Sequence, residues 1–303
     1  MMVSVLLAVY NAGAPLTTAI ESILRQDFSD FEFLILDDAS SDGSADIISY
    51  FAQQDSRIKP YFHQRNQGLA ATLNEGLALA IAPLVARMDQ DDESLPSRLS
   101  RQVAEMLARP ELAICGSYVY HMGRTPAQDR LVTMPTDDEA IRACLPNLNV
   151  FYHPAVMMNR EKVLAIGGYD GRFINAEDYD LWLRLSRIYP LANLPEPLLR
   201  YRFSTGGMTL GRKWEQLYYV FLAQARHRRS PDASFEELER EAELIHAATD
   251  RQHFIEGVVR GTCRELTTLG HIGHTGRLLW IYRGDIGWAA IRSIMLECFH
   301  IQG

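Results

Sequence analysis

The chain has 303 residues, 47% of them hydrophobic and 22% charged, an ordinary globular composition sufficient for one large domain or one domain plus an appendage. A net charge of −8 argues against a nucleic-acid partner, because neutralising phosphates needs a basic face. Cys115, Cys144, Cys263 and Cys298 lie far apart, as reduced thiols of a cytosolic protein would, and neither a signal segment nor an apolar run of ~18 residues is present.

In chain order, Val3–Val9 is apolar and β-branched enough for a buried parallel strand. Pro15 suits the first turn of a helix whose apolar face carries Leu16, Ile20, Ile23 and Leu24. A strand over 31–36 follows, and the polar turn 37–43 leads into a second helix. Ile58–Phe62 reads as a third strand, and 68–81 as a helix with Leu69, Leu73, Leu77 and Ile81 at four-residue intervals. Leu84–Met88 is a fourth strand that ends directly in Asp89-Gln90-Asp91-Asp92. In the next helix Ser94 is the cap, Pro96 sits in the first turn, and Leu99, Val103, Met106 and Leu107 form the buried stripe. A strand over 113–120 and a helix over 177–189, with Leu181, Trp182, Leu185 and Ile188 on one side, complete the alternation; past Thr209 the pattern is helical. Strands alternating with helices predict a doubly wound α/β sheet.

Ligands of such sheets bind at the carboxyl ends of strands. Asp37 and Asp38 stand at one such end, and Asp89, Asp91 and Asp92 at another. Three carboxylates in four residues repel one another unless cations offset them, and hard oxygen ligands suit Mg²⁺ or Mn²⁺ together with substrate phosphates. On an extended segment, alternation puts Asp89 and Asp91 on one side. The bland alternative is a solvated turn in which Asp92 and Glu93 favour the start of the next helix; the position after a buried strand favours function. The turn Tyr10-Asn11-Ala12-Gly13 is neither a dinucleotide fingerprint nor a P-loop, so a nucleotide here would have its phosphates held by metal and side chains. Taken singly, Asn11 and Gly13 are ordinary turn residues.

Together these segments resemble the family 2 glycosyltransferases of GT-A fold. The resemblance runs in order through Ser4–Asn11, Ser22–Phe28, Asp37–Gly43, Asn66–Ala70, Arg87–Asp92, Gly167-Gly168-Tyr169 and Ala176–Trp182, about two thirds of the chain. It implies a Rossmann-like, mostly parallel sheet flanked by helices, with a helical C-terminal extension. Residues 1–208 would be catalytic, about 1–110 binding the nucleotide sugar and about 111–208 the acceptor; 209–303 would be the extension. By the same resemblance Asp38 hydrogen-bonds the base, with Ala8, Tyr10, Asn11, Asp37 and Asn66 beside it. Asp91 ligates Mn²⁺ or Mg²⁺, and Asp89 contacts the metal shell or the donor sugar and ribose. Asp178 is the catalytic base, because an acceptor hydroxyl attacks poorly until a carboxylate takes its proton. Glu177, Gly168, His153 and Trp182 lie on the acceptor side. One base opposite the leaving group implies inversion. Glu177 and Asp178 also suit a helix start, and Gly167-Gly168 a helix end. In one departure, Tyr201-Arg202-Phe203-Ser204-Thr205 lacks the His that completes the metal shell in many members.

The implied function is transfer from a nucleotide sugar, UDP-sugar favoured, to a saccharide acceptor in O-antigen, capsule or exopolysaccharide assembly. A nucleotidyltransferase would need a glycine-rich basic loop after the first strand, which is lacking. A nucleotide-sugar-binding scaffold without turnover is the alternative from another class. Arg226-His227-Arg228-Arg229 is a basic cluster, and 277–292 mixes Leu278, Leu279, Trp280, Ile281, Tyr282, Ile286 and Trp288 with arginines. That stretch suits a helix packed on the catalytic part or, second, an interfacial helix making peripheral membrane contact. The interfacial reading would make the acceptor a lipid-linked (polyprenyl) saccharide at the inner membrane face.

Overall fold

A computed structural model of the chain describes residues 1–202, 210–230, 232–268, 279 and 289–296. The chain divides into two compact units, Met1–Tyr120 with Leu131–Arg202, and His121–Arg130 with Phe203–Gly303.

The first unit is built on a sheet of order β3-β2-β1-β4-β8-β6-β9-β5, with β7 beside β6. The strands β1 (Val3–Val9), β2 (Phe31–Asp37), β3 (Ile58–Phe62) and β4 (Leu84–Met88) are those the sequence predicts, within a residue. They run parallel, in the register Val9 to Asp37, Asp37 to Phe62 and Leu7 to Met88. β1, β2 and β4 are buried on both faces and so read as largely apolar runs, whereas β3, at the sheet edge, buries only Ile58. One face (Val3, Val5, Leu7, Phe33, Ile35, Ala86, Met88) packs on Leu16, Ile20 and Ile23 of α1 (Pro15–Leu24), Ile48 of α2 (Ser44–Gln54), and Leu99, Val103 and Met106 of α4 (Arg98–Ala108). On the other face, α3 (Leu69–Leu79) comes so close to Leu6 that a Cβ on Gly76 would lie 2.1 Å from a Leu6 methyl.

Several expectations shift. Leu73 and Leu77 are buried, but Leu69 is 40% exposed, because residues four apart drift about 40° round a helix at each step, and Ile81 is 70% exposed because α3 ends at Leu79, short of the expected 81. Leu107 and Ile188 are exposed for related reasons, Leu107 lying off the α4 stripe and Ile188 beyond the end of α7 (Glu177–Ser186). Ser94 does not cap α4. It belongs to β5 (Glu93–Ser94), where its N–H donates to Ser22 Oγ (3.0 Å) and its hydroxyl accepts from Arg98 Nη1 (2.9 Å), while Pro96 lies in the turn ahead of the helix.

Beyond β6 (Ile114–His121) and β7 (Arg130–Val132) come α5 (Asp138–Cys144), β8 (Met157–Asn159), α6 (Arg160–Ala165) and β9 (Leu191–Tyr201). β8 runs antiparallel to both β4 and β6. β9 holds Pro195 and Pro197, which remove ladder donors and hide a strand from sequence reading. Its β5 partner pairs only at Leu199 and Arg200, clear of both prolines.

In the second unit α8 (Leu210–Arg228), α9 (Phe235–Ala248) and α10 (Arg251–Thr268) are helical, as expected past residue 209. The basic cluster is engaged: Arg228 and Arg229 both pair with Glu241 (2.8 and 2.7 Å). Glu265 of α10 meets His121 Nδ1 (2.6 Å) and Arg130 Nη2 (2.5 Å). Of 277–292, only Leu279 and 289–292 are among the described residues, so both readings of that stretch, packed helix or interfacial helix, fall largely outside them. Among the described residues no helix is long and apolar enough to cross a membrane.

Candidate active site

The parallel register brings three strand tips together. β2-β1-β4 are neighbours, and the strand order turns back at β1, the kind of switch point where open α/β sheets bind ligands. Ala8, Tyr10 and Asn11 leave β1, Asp37 and Asp38 leave β2, and Asp89–Asp91 leave β4. The first two loops are laced together. Asn11, at a left-handed φ of 49°, donates its N–H to Ser40 Oγ (2.9 Å) and accepts from the Ser41 N–H (2.8 Å); Gly13 N–H donates to Asp42 (2.8 Å). The Tyr10 ring is 50% exposed above them.

Asp38 holds a third loop. Its carboxylate accepts from His63 Nδ1 (2.8 Å) and from the N–H groups of Gln67 (2.8 Å) and Gly68 (2.9 Å), and its carbonyl accepts from Asn66 Nδ2 (3.3 Å). Burial pushes the carboxyl up, but the His63 and backbone bonds outweigh it and hold Asp38 below the usual carboxylate range. Asp37 is different. It is 3% exposed, its Oδ1 has no hydrogen-bond partner among the described residues, and it lines a cavity of about 550 Å³ with Ser40, Ser49, Phe62 and His63. A buried acceptor without a donor costs about 1–3 kcal/mol, so a ligand N–H or O–H fits there.

At the β4 tip Asp89–Asp91 forms a turn, not the extended segment that alternation assumed. Within it the Gln90 side chain reaches the Tyr10 backbone, accepting from its N–H (2.8 Å) and donating to its carbonyl (3.2 Å). Asp89 pairs with Arg87. Asp91 keeps its proton more tightly than usual, from burial first and the Asp89 charge second. Asp92, 1% exposed, is pushed well up by burial and by Asp89 and Asp91; Oδ1 accepts from the Arg202 N–H (2.7 Å), and Oδ2 has no partner among the described residues. It does not start α4, since Glu93 is in β5 and pairs with Arg200. A crowded acid turn in which Asp91 and Asp92 resist ionising is one a divalent cation would relieve, and the carboxylate oxygens of Asp91 and Asp89 are of the hard type that suits Mn²⁺ or Mg²⁺. Among the described residues no group of three or more His, Cys, Asp or Glu is arranged to hold a metal ion.

Glu177 and Asp178 occupy the first turn of α7. Asp178 is half-buried; Oδ1 accepts from the Tyr179 N–H (2.7 Å) and Oδ2 from Asn149 Nδ2 (3.1 Å). Burial raises its affinity for a proton; those bonds and Arg87 oppose this, and the Asp89 charge adds to it. Arg87 and Asp89, at the end of β4, are among the charges near Asp178. Beside them His153 Nε2 lies 2.7 Å from the Tyr169 hydroxyl. Burial, then the Arg87 charge, holds the His153 ring neutral. Trp182, fully buried, packs its ring 5.7 Å from His153 and 5.9 Å from Phe151. Gly167, at φ +86°, and Gly168 close α6 in a Schellman motif, donating to Leu164 and Val163 carbonyls (3.0 Å each). Gly168, at φ +67°, then passes so near α3 that a Cβ would lie 2.5 Å from Asn74 Oδ1. Asn74 in turn clamps both backbone groups of Tyr169 (2.8 Å each).

Four participants escaped sequence reading. Arg87 had a signal, an arginine inside an apolar strand. His63, Gln90 and Asn149 had none, because their roles come from contacts 25, 80 and 29 residues away along the chain.

The fold is that of the GT-A glycosyltransferases. Among solved structures the chain is similar to S. aureus TarS 1–349 in complex with UDP-GlcNAc, with TM-score 0.62 at 15% identity over 94% of this chain and 93% of that one. It is also similar to the mannosyltransferase PcManGT of Pyrobaculum calidifontis in complex with GDP-Man and Mn²⁺, with TM-score 0.59 at 16% identity over 98% and 86%. Residues 4–167 match the model of Glycosyl transferase family 2. The E. coli O-antigen biosynthesis glycosyltransferase WbnJ is 35% identical over 207 residues, 66% of this chain and 79% of the relative. The chain belongs to glycosyltransferase family 2.

Two stability predictions follow from this geometry. Gly168→Ala is expected to cost about 1–2 kcal/mol in urea unfolding, from the left-handed backbone and the Asn74 contact; an unchanged midpoint would refute it. Glu177 is raised to about 7 from its ordinary 4.5, by burial and then by Asp178. Between those values the folded chain keeps a proton that the unfolded chain has lost, so stability falls as pH rises through the window. Glu177→Gln should therefore stabilise the protein more at pH 8 than at pH 4.5, by on the order of 2 kcal/mol; equal effects at both would contradict the shift.

Proposed function

We propose that the protein transfers a sugar from a nucleotide sugar, a UDP-sugar being favoured, to a saccharide acceptor during surface-polysaccharide assembly, with inversion at the anomeric carbon. The observation carrying this reading is that the β2-β1-β4 register gathers Asp37, Asp38 and the Asp89–Asp91 turn at one edge of a GT-A fold. A base on one side and an anionic, cation-seeking cluster on the other are what in-line displacement of a nucleoside diphosphate requires. The UDP-GlcNAc and the GDP-Man with Mn²⁺ bound by the structural neighbours, and the O-antigen role of the E. coli relative, support the donor and product classes.

In this proposal the nucleoside lies over the tips of β1 and β2, among Ala8, Tyr10, Asn11, Asp37, Asp38 and Asn66. Asp37 Oδ1 offers it the open acceptor, and the half-exposed Tyr10 ring offers it a flat face. Asp91 and Asp89 would hold Mn²⁺ or Mg²⁺, which when bound offsets charge on the departing diphosphate. Arg87 keeps Asp89 turned toward that cluster. Asp178, oriented by Asn149 and the Tyr179 N–H, takes the acceptor hydroxyl proton as oxygen attacks the anomeric carbon. Glu177, neutral His153, Trp182 and Gly168 shape the acceptor side. Residues 1–208 would form the catalytic part and 209–303 a helical extension, with a lipid-linked acceptor if 277–292 meets a membrane.

Asp178→Asn is expected to bind UDP-sugar as the wild type does and to transfer about 10²–10⁴-fold more slowly, followed as UDP release with a polysaccharide-precursor acceptor. Because burial raises Asp178, the acid limb of kcat/KM should lie above the usual Asp range, with activity rising with pH as the carboxyl ionises. Transfer by Asp178→Asn at the wild-type rate would refute the assignment.

A further inference from the structure

The β1–β4 ladder stops early. Its last pair is Leu7 with Met88, yet β1 continues to Val9 and its loop begins at Tyr10. Beyond Met88 the chain turns away through Asp89, Gln90 and Asp91, and the backbone of Tyr10 is met by a side chain. The Gln90 carboxamide accepts from the Tyr10 N–H at 2.8 Å and donates to the Tyr10 carbonyl at 3.2 Å, pairing both groups as a neighbouring strand would. It is the residue between the two aspartates, so one side chain ties the acid turn to the nucleotide loop. That loop is laced to the β2 tip through Asn11.

We propose that Gln90 is a positioning residue for the donor: it sets the span between the nucleoside side of the site and the diphosphate side, by standing in for the missing rung of the ladder. The proposal rests on the donor site assigned above. Its physical content is specific. A ligand confined to the β1–β2 tips does not span the two loops and is indifferent to the strut. A ligand that engages both the β1 loop and the carboxylates needs the loops held at a fixed separation, and without the strut binding must itself order them. An amide is needed, because the partner groups are one donor and one acceptor; a side chain of equal bulk without polar atoms keeps the shape and loses the tie.

The test is calorimetry of uridine, and of UDP with Mn²⁺, on wild type, Gln90→Ala and Gln90→Met. Both variants should bind uridine within about twofold of wild type and UDP with Mn²⁺ about tenfold more weakly, two net hydrogen bonds being worth roughly that much. Equal losses for uridine and UDP would overturn the proposal, since they would mean that the β1 loop itself has collapsed. Wild-type UDP binding by either variant would also overturn it, and by Gln90→Met alone would assign the effect to bulk. Failure of the wild type to bind UDP with Mn²⁺ would remove the donor site and this inference together, an outcome distinct from the others.

Discussion

Parallel pairing of β1 between β2 and β4 is the constraint on which the site depends. Because all three strands run the same way, their carboxyl ends emerge at one edge, and the registers Val9 to Asp37 and Leu7 to Met88 set the tips within reach of one another. Slippage by one residue would turn every side chain to the opposite face and put Arg87 among the residues packed on α1 and α4. The apolar runs that make the strands insoluble outside a core thereby also fix where their polar ends must be.

Charge at that edge is balanced over a short distance. Arg87, 2% exposed, sits beneath Asp89 and acts on Asp178, Glu177 and His153. Arg98, fully buried, is lowered to about 9 by burial and then by Arg87, and donates to the Arg87 (2.6 Å) and Val156 (3.2 Å) carbonyls, holding β4 to the chain ahead of β8. Against these two cations stand Asp89, Asp91, Asp92, Glu177 and Asp178. Burial first, and the neighbouring carboxylates second, leave four of these five carboxyls, Asp91, Asp92, Glu177 and Asp178, reluctant to ionise. In the proposed mechanism such a site would take a cation on one side and accept a proton on the other, as sugar transfer from a nucleoside diphosphate asks.

What was legible in the sequence was whatever burial writes into a local pattern. The parallel strands β1, β2 and β4 could be read because they are covered on both faces, and α1 because Pro15 and its apolar stripe agree. Asp89-Gln90-Asp91 and Glu177-Asp178 stood out as carboxylates at element ends. Less legible was anything decided across the chain. β9 was masked by its prolines, and Ser94 was drawn into β5 by Ser22 and Arg98 although it looked like a cap. The acid segment was expected to be extended and instead turns, with Gln90 meeting the Tyr10 backbone 80 residues away, a contact that no local pattern records. Asp38 could be placed at a ligand edge, but its three donors from the 63–68 loop could not be foreseen.

The central claim, that the carboxylates at the β4 tip bind the donor diphosphate through a divalent cation, is tested most directly by titrating UDP into wild type and Asp91→Ala with and without Mn²⁺. The account predicts that binding to the wild type requires the metal and that Asp91→Ala abolishes the metal-dependent part. UDP binding that is the same without metal, or the same in Asp91→Ala, would contradict it.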